Sequence, residues 1–207
     1  MANKQRIVLG IHVGHDSGAA LIQDGKILAA ISEERIRNIK HHSGTPTKSI
    51  LEVLNIAKIH PSQVTTVSIA GLKTQIHKTT PFSNLLLSDV FLDWSSLNSN
   101  LKGLKHFVSH NSHLNILDEV KKSVIDAGID IQEIIFVDHH LAHAASAYYL
   151  SPWNFDEQVL VFTADGAGDG ISSTISTGQN GEITRLKDAT STYYDSVGLI
   201  LYSNITT

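Results

Sequence analysis

The stretch "VLGIHVGHDSGAALI", Val8 to Ile22, can be laid over "VFTADGAGDGISSTI", Val161 to Ile175, without a gap. Gly14-His15-Asp16 then falls on Ala167-Gly168-Asp169. In both stretches a short apolar run reads as a buried strand, enters a loop of Gly and Asp, and leaves into a second strand. A hairpin signal follows each copy, Asp24-Gly25 in the first and Asn180-Gly181 in the second. Such dipeptides accept the positive φ that tight hairpins need. "KILAAIS" and "GEITRLKDA" then supply third strands. The shared order of strand, loop, strand, turn and strand reads as a duplicated unit, three strands followed by helices, in an α/β protein.

Working outward, Pro46 and the pattern Ile50, Leu51, Val53, Leu54, Ala57 predict a helix that stops before Pro61. "TTVSIAGL" reads as a strand, and Leu114, Leu117, Val120, Val124 and Ile125 as an amphipathic helix ending near Gly128. "EIIFVD" is a further strand, the histidine-rich "DHHLAHAASAYYL" a helix, and "VLVFTADG" the strand that opens the second copy. The expected lobes are residues 1–158, complete, and residues 159–207, truncated after the second copy's three strands. That truncation would leave a sheet face exposing Ile171, Ile175 and Ile183, and so favour a homodimer. Lys73 to His110 is weakly periodic, and Phe82 to Trp94 within it is a candidate segment for small-molecule contacts.

Composition narrows the chemistry. The chain has 207 residues, 42% of them hydrophobic and 17% charged, as in an ordinary folded protein. A formal net charge of −4 gives no reason to expect nucleic-acid or acidic-membrane binding. There is no cysteine, so any metal would be held by His, Asp, Glu, carbonyl or water. No run reaches the roughly 18 consecutive apolar residues of a membrane span, and the N-terminus does not read as a secretory signal. A cytoplasmic location is the expectation.

Two features carry candidate chemistry. Glycine lets a backbone approach a ligand, and consecutive N–H groups can cradle phosphate oxygens. The loops holding Gly14, Asp16 and Ser17, and Gly166, Gly168, Asp169 and Gly170, are therefore candidate nucleotide-phosphate contacts. Taken singly each reads as a plain turn, and it is the pairing that favours the phosphate reading. Second, His139 and His143 are four apart, on one face of a helix. This spacing offers two imidazoles to one metal. His140 lies about 100° round the helix. Asp165, at the end of the next strand, can complete a set of two histidines and a carboxylate, with positions open for substrate or water. The bland alternative is a helix whose histidines are merely solvated.

"VLGIHVGHDSGAALIQDGKILAAISEERIRNIKHH", "DHHLAHAASAYYLSPW", "TADGAGDG" and "SVGLILYSNIT" together resemble the N-terminal part of the carbamoyltransferase family. That family includes the nodulation and aminoglycoside-antibiotic carbamoyltransferases. It is related to the hydrogenase-maturation carbamoyltransferase and to the tRNA threonylcarbamoyladenosine transferase. The resemblance implies an actin- and sugar-kinase-like duplicated βββαβα fold. It implies that carbamoyl phosphate and ATP give carbamoyl adenylate in a separate C-terminal domain. The carbamoyl group then moves to a small-molecule hydroxyl in the actin-like domain, at a divalent metal of the Fe2+, Mn2+ or Zn2+ type.

On that resemblance His139 and His143 match the family's helix pair, and Asp165 the aspartate of its Gly-rich loop. Lys40 matches a Lys-His pair and would neutralise developing negative charge, unless it is only a surface lysine. His15 would act as a base toward the acceptor or contact phosphate, unless it is a loop histidine satisfied by backbone. Family members are longer, so the chain alone is expected to lack a further metal aspartate and the adenylate-forming domain, and to be incomplete as an enzyme. The alternatives are a nucleotide-binding ATPase or kinase-like domain without carbamoyl chemistry, or a non-catalytic fragment.

Overall fold

The computed structural model describes residues 6–71 and 117–190. They fall into two compact units, the first holding residues 6–71 and 117–137, the second residues 138–190. Phe82 to Trp94, Leu114 and the "SVGLILYSNIT" segment lie outside the described residues.

The first unit is built on a five-stranded mixed sheet of order β3-β2-β1-β4-β5. Its strands are β1 (Ile7–His12), β2 (Gly18–Gln23), β3 (Lys26–Ser32), β4 (Thr66–Ala70) and β5 (Ile134–Val137). The first three form an antiparallel meander, and β4 and β5 add in parallel beside β1. Strict alternation in β1 buries Ile7, Leu9 and Ile11, because side chains of a strand point to opposite faces. The short helix α1 (Glu33–Arg37) leads to α2 (Thr47–Ala57), whose Ile50, Val53 and Leu54 are buried. A helix at residues 117–126, α3, buries Val120 and Val124 and ends ahead of Gly128 at φ 83°. Ile125, on its outer side, is exposed.

The Gly14–Ser17 loop is laced to the segment before α2. Ser17 N donates to His42 O at 2.9 Å, Gly44 N to Val13 O at 2.9 Å, and Glu33 N to Ser17 O at 2.8 Å. Glu33 is fully buried and accepts from Ser49 N (2.7 Å), Ser49 Oγ (2.8 Å), Lys48 N (3.2 Å) and Arg37 Nε (2.6 Å). It thereby supplies the cap that Pro46 cannot give α2. Burial alone would raise its carboxyl, but the hydrogen bonds from Arg37, Ser49 and Lys48 hold it below the usual range.

The second unit holds the helix α4 (His139–Tyr149) and a three-stranded antiparallel sheet of order β6-β7-β8: β6 (Val159–Gly168), β7 (Ile171–Gln179) and β8 (Glu182–Thr190). Tyr148 and Ala144 of α4 pack on Val161, with Val159 and Ile183 alongside. Gly178 faces the Tyr148 ring, and a Cβ there would collide with it.

Two expectations need correction. The second Gly-rich segment is mostly strand, since β6 runs on to Gly168 through an irregularity after Ala164, and only Asp169 and Gly170 make the turn. The exposed apolar row of this sheet is Leu160, Phe162, Ile175 and Leu186, not Ile171 and Ile183. The alternation turns Ile183 toward Tyr148, and Ile171 is half-buried.

Candidate metal centre

The first turn of α4 is fixed by two aspartates. Asp138 is its N-cap and accepts from Leu141 N at 2.8 Å. Arg185 of β8 ion-pairs with the same carboxylate. Burial alone would raise Asp138, but Arg185 and the Leu141 N–H outweigh it and hold the carboxyl below its ordinary value. Asp169, at φ 54° in the β6–β7 turn, accepts from His139 N at 2.8 Å. Two anions thus sit at the positive end of the helix. The other oxygen of Asp169, Oδ1, is buried with no hydrogen-bond partner.

With the helix so placed, its histidines divide into two kinds. His140 is fully buried and turned into the sheet. Its Nε2 is 2.9 Å from Ile171 O and its Nδ1 2.8 Å from Thr163 Oγ1, which is in turn 2.7 Å from Thr174 Oγ1. The carbonyl can only accept, so Nε2 carries the proton, Nδ1 accepts from Thr163, and Thr163 accepts from Thr174. Burial pushes the His140 imidazole below its usual range, against the pull of Ile171 O.

His139 and His143 face the other way and meet Asp165. His139 Nε2 is 2.6 Å from Asp165 Oδ2, His143 Nε2 is 3.4 Å from the same oxygen, and the two Nε2 atoms are 3.0 Å apart. The three residues offer ligand atoms that all lie within 4.8 Å of one another. Gly168 is what lets the His139 ring reach this place, because a Cβ there would run into the imidazole. Two imidazole nitrogens and a carboxylate oxygen converging on one point are the donor set that Zn2+, Fe2+ or Mn2+ accepts, so the residues present fit a divalent ion.

The remaining site candidates lie in the first unit. Asp16, at φ 59°, accepts from His15 Nδ1 at 2.9 Å and from His41 Nδ1 at 3.0 Å. These two bonds hold its carboxyl below the usual carboxylate range. Ser17 Oγ is 3.0 Å from His42 Nδ1. Lys40 is exposed and next in sequence to this pair. His41, His42 and the helix-capping use of Asp169 were missed by sequence reasoning. The signal that could have found the first two is the density of imidazoles in "KHH" beside a loop that itself carries His15 and Asp16.

The family model for the carbamoyltransferase N-terminus matches residues 7–207. The chain belongs to this carbamoyltransferase N-terminal family. It is 30% identical over 191 residues to the nodulation protein NolNO of Sinorhizobium fredii, covering 92% of this chain and 25% of that protein. An uncharacterized protein of Synechocystis sp. is 31% identical over 86% of this chain and 28% of its own length. One from Methanocaldococcus jannaschii is 28% identical over 97% and 29%. The chain thus spans between 25% and 29% of the length of these relatives. Among its described residues, no helix is long and apolar enough to cross a membrane.

Proposed function

We propose that this domain carries the transfer site of a larger carbamoyltransferase, in which a carbamoyl group passes from carbamoyl adenylate to a hydroxyl of a small-molecule acceptor. The observation that carries the reading is the convergence of His139, His143 and Asp165 in a chain of this family. Carbamoyl adenylate would come from carbamoyl phosphate and ATP in a separate adenylate-forming domain. The acceptor oxygen attacks the carbamoyl carbon, an O–C bond forms, the bond to the phosphate oxygen breaks, and AMP leaves with the electron pair. The hydroxyl proton passes to solvent water. A divalent ion between His139, His143 and Asp165 would supply Lewis acidity to the carbamoyl or phosphate oxygens.

The fold reading goes with this. The two β-meanders are read as copies of an actin- and sugar-kinase-like unit. Support comes from their shared strand order and from Asp16 and Asp169, at matched positions, both holding positive φ. The backbone of Gly14 to Ser17 in the first unit, and separately that of Gly166 to Gly170 in the second, would then each be a phosphate-binding stretch.

The test uses the full-length protein, measuring bound divalent metal by elemental analysis and transfer from synthetic carbamoyl adenylate to a panel of hydroxyl compounds. Stoichiometric metal and transfer are expected, both lost in His139→Ala and Asp165→Ala. Full metal retention in both variants would overturn the metal reading. Undiminished transfer without metal would overturn the mechanism.

A further inference from the structure

An aspartate inside a phosphate-binding loop is a physical problem, because its charge repels the ligand. In the first unit that charge is covered. His15 Nδ1 lies on one oxygen of Asp16 at 2.9 Å and His41 Nδ1 on the other at 3.0 Å. A carboxylate has no proton to give, so both Nδ1 atoms carry hydrogens and donate. That fixes the state of the second ring nitrogen. On a neutral ring Nε2 is then a lone pair, which repels an anion. On a protonated ring it is an N–H donor with a positive charge. The rings are 81% and 78% exposed, so a dissolved anion can reach them.

We propose that His15, Asp16 and His41 form a proton-operated anion site, in which each imidazole tied to Asp16 through Nδ1 donates from Nε2 to a phosphoryl oxygen only once protonated. This rests on reading the Gly14 to Ser17 loop as phosphate-binding, and it adds His41 and a pH dependence to that reading. With both rings neutral the three groups carry one negative charge, and with both protonated one positive charge. Anion binding therefore takes up protons, and it strengthens as pH falls.

The surroundings support a fixed pair. His41 reaches Asp16 from a segment tied to the same loop by Ser17 N to His42 O and Gly44 N to Val13 O. His41 and Asp16 both hold left-handed backbone, at φ 53° and 59°. Among the described residues, the other titratable and charged groups facing this cluster include His12, whose Nε2 is 3.2 Å from His15 O, His42 on Ser17, and Glu34, whose carboxylate accepts from His41 N. Arg35 lies 3.9 Å from Glu34 and offsets it, while Lys40 adds a cation in the same segment.

Sulfate is the probe of choice, because its charge is constant across this range and any pH dependence belongs to the protein. Its affinity for the full chain is measured by calorimetry from pH 5.5 to 8.5, beside inorganic phosphate and AMP, with the C–H resonances of His15 and His41 followed by NMR. Sulfate is expected to weaken by up to about tenfold per rising pH unit for each linked proton, and the C–H resonances of both imidazoles should shift when it binds. His41→Asn keeps an N–H for Asp16 but cannot take a proton. It should bind sulfate about tenfold less tightly at pH 6, losing roughly the charge-assisted part of one hydrogen bond, with a shallower pH slope. Binding that is independent of pH, or unaltered slope and affinity in both His41→Asn and His15→Asn, would overturn the proton-operated site while leaving the loop a phosphate site. If none of the three anions binds, the phosphate reading of the loop fails as well.

Discussion

The two β-meanders spend the same local design on different neighbours. Asp16 and Asp169 occupy matched places before the second strand, both at positive φ. Asp16 is held from outside by two exposed imidazoles, so its surroundings are polar and titratable. Asp169 holds the backbone of α4, and one of its oxygens is buried without a partner. In the second unit the turn therefore positions a helix, and the helix positions the ligand-type side chains. In the first unit the turn itself carries the titratable side chains. The difference teaches that a strand–turn–strand signature fixes a backbone, while the use made of its aspartate depends on what packs against it.

The largest effect is expected where the first meander meets its helix. Glu33→Ala would leave Ser49 N–H, Lys48 N–H and the Arg37 guanidinium without their buried acceptor. A loss of about 3 kcal/mol is expected in denaturant unfolding. Glu33→Gln keeps the shape and one acceptor and should lose less. Equal, small losses in both variants would show that Glu33 is not what ties α2 to the loop.

Gly168→Ala tests the second unit's counterpart. Its Cβ would collide with the His139 ring, so either the ring moves or the turn opens. A cost of about 1–3 kcal/mol follows from overpacking, together with weaker binding of divalent metal in an equilibrium titration. Normal metal affinity with normal stability would show that the ring has room to spare.

His140 gives the pH dependence of the second unit. Burial lowers its folded-state value below the unfolded one. Its contribution is therefore intact above the unfolded imidazole range and lost as pH falls below it, because the unfolded chain gains a proton that the folded one refuses. The melting temperature should drop between pH 7 and pH 5, and His140→Gln should reduce that drop while lowering stability throughout. An unchanged drop in the variant would place the acid sensitivity elsewhere.

What could be read from the sequence follows the range of the interactions. The apolar run read as strand β1 and the i, i+4 pair His139 and His143 are local patterns, and the structure shows a strand at the first and one shared helix face at the second. Asp165 also meets that pair, although it lies within β6 at the irregularity after Ala164 and not at the strand's end. By contrast, the His140–Thr163–Thr174 chain joins residues of three elements, and nothing in the spacing of Thr163 marks it as an imidazole's partner. His41 and Asp16 are 25 positions apart. The extension of β6 through Gly166 to Gly168 was hidden because Gly and Asp carry a loop signal, and only Gly168, paired with Ile171, rejoins the ladder after the irregularity.

The smallest expected effect compares the hairpin turns. Asp24-Gly25 and Asn180-Gly181 have positive φ at both positions, 47° and 80° in the first, 53° and 78° in the second. A Cβ at either glycine meets nothing within 4 Å. Gly→Ala at each therefore carries only the cost of left-handed backbone, about 1 kcal/mol. The turns differ in what else holds them. Gly181 O accepts from Tyr149 Oη at 2.8 Å and Gly181 N donates to Tyr148 Oη at 3.2 Å, whereas the first turn is closed by Arg6 N on Asp24 Oδ1 at 3.1 Å. If α4 holds the second turn in place, Tyr149→Phe should cost about 1 kcal/mol on its own. Added to Gly181→Ala it should cost less than the sum, since the two changes act on one turn. Gly25→Ala with Tyr149→Phe should add simply. Additivity in both pairs would mean that the second turn stands alone as the first does, and the contrast between the meanders would shrink to the aspartates.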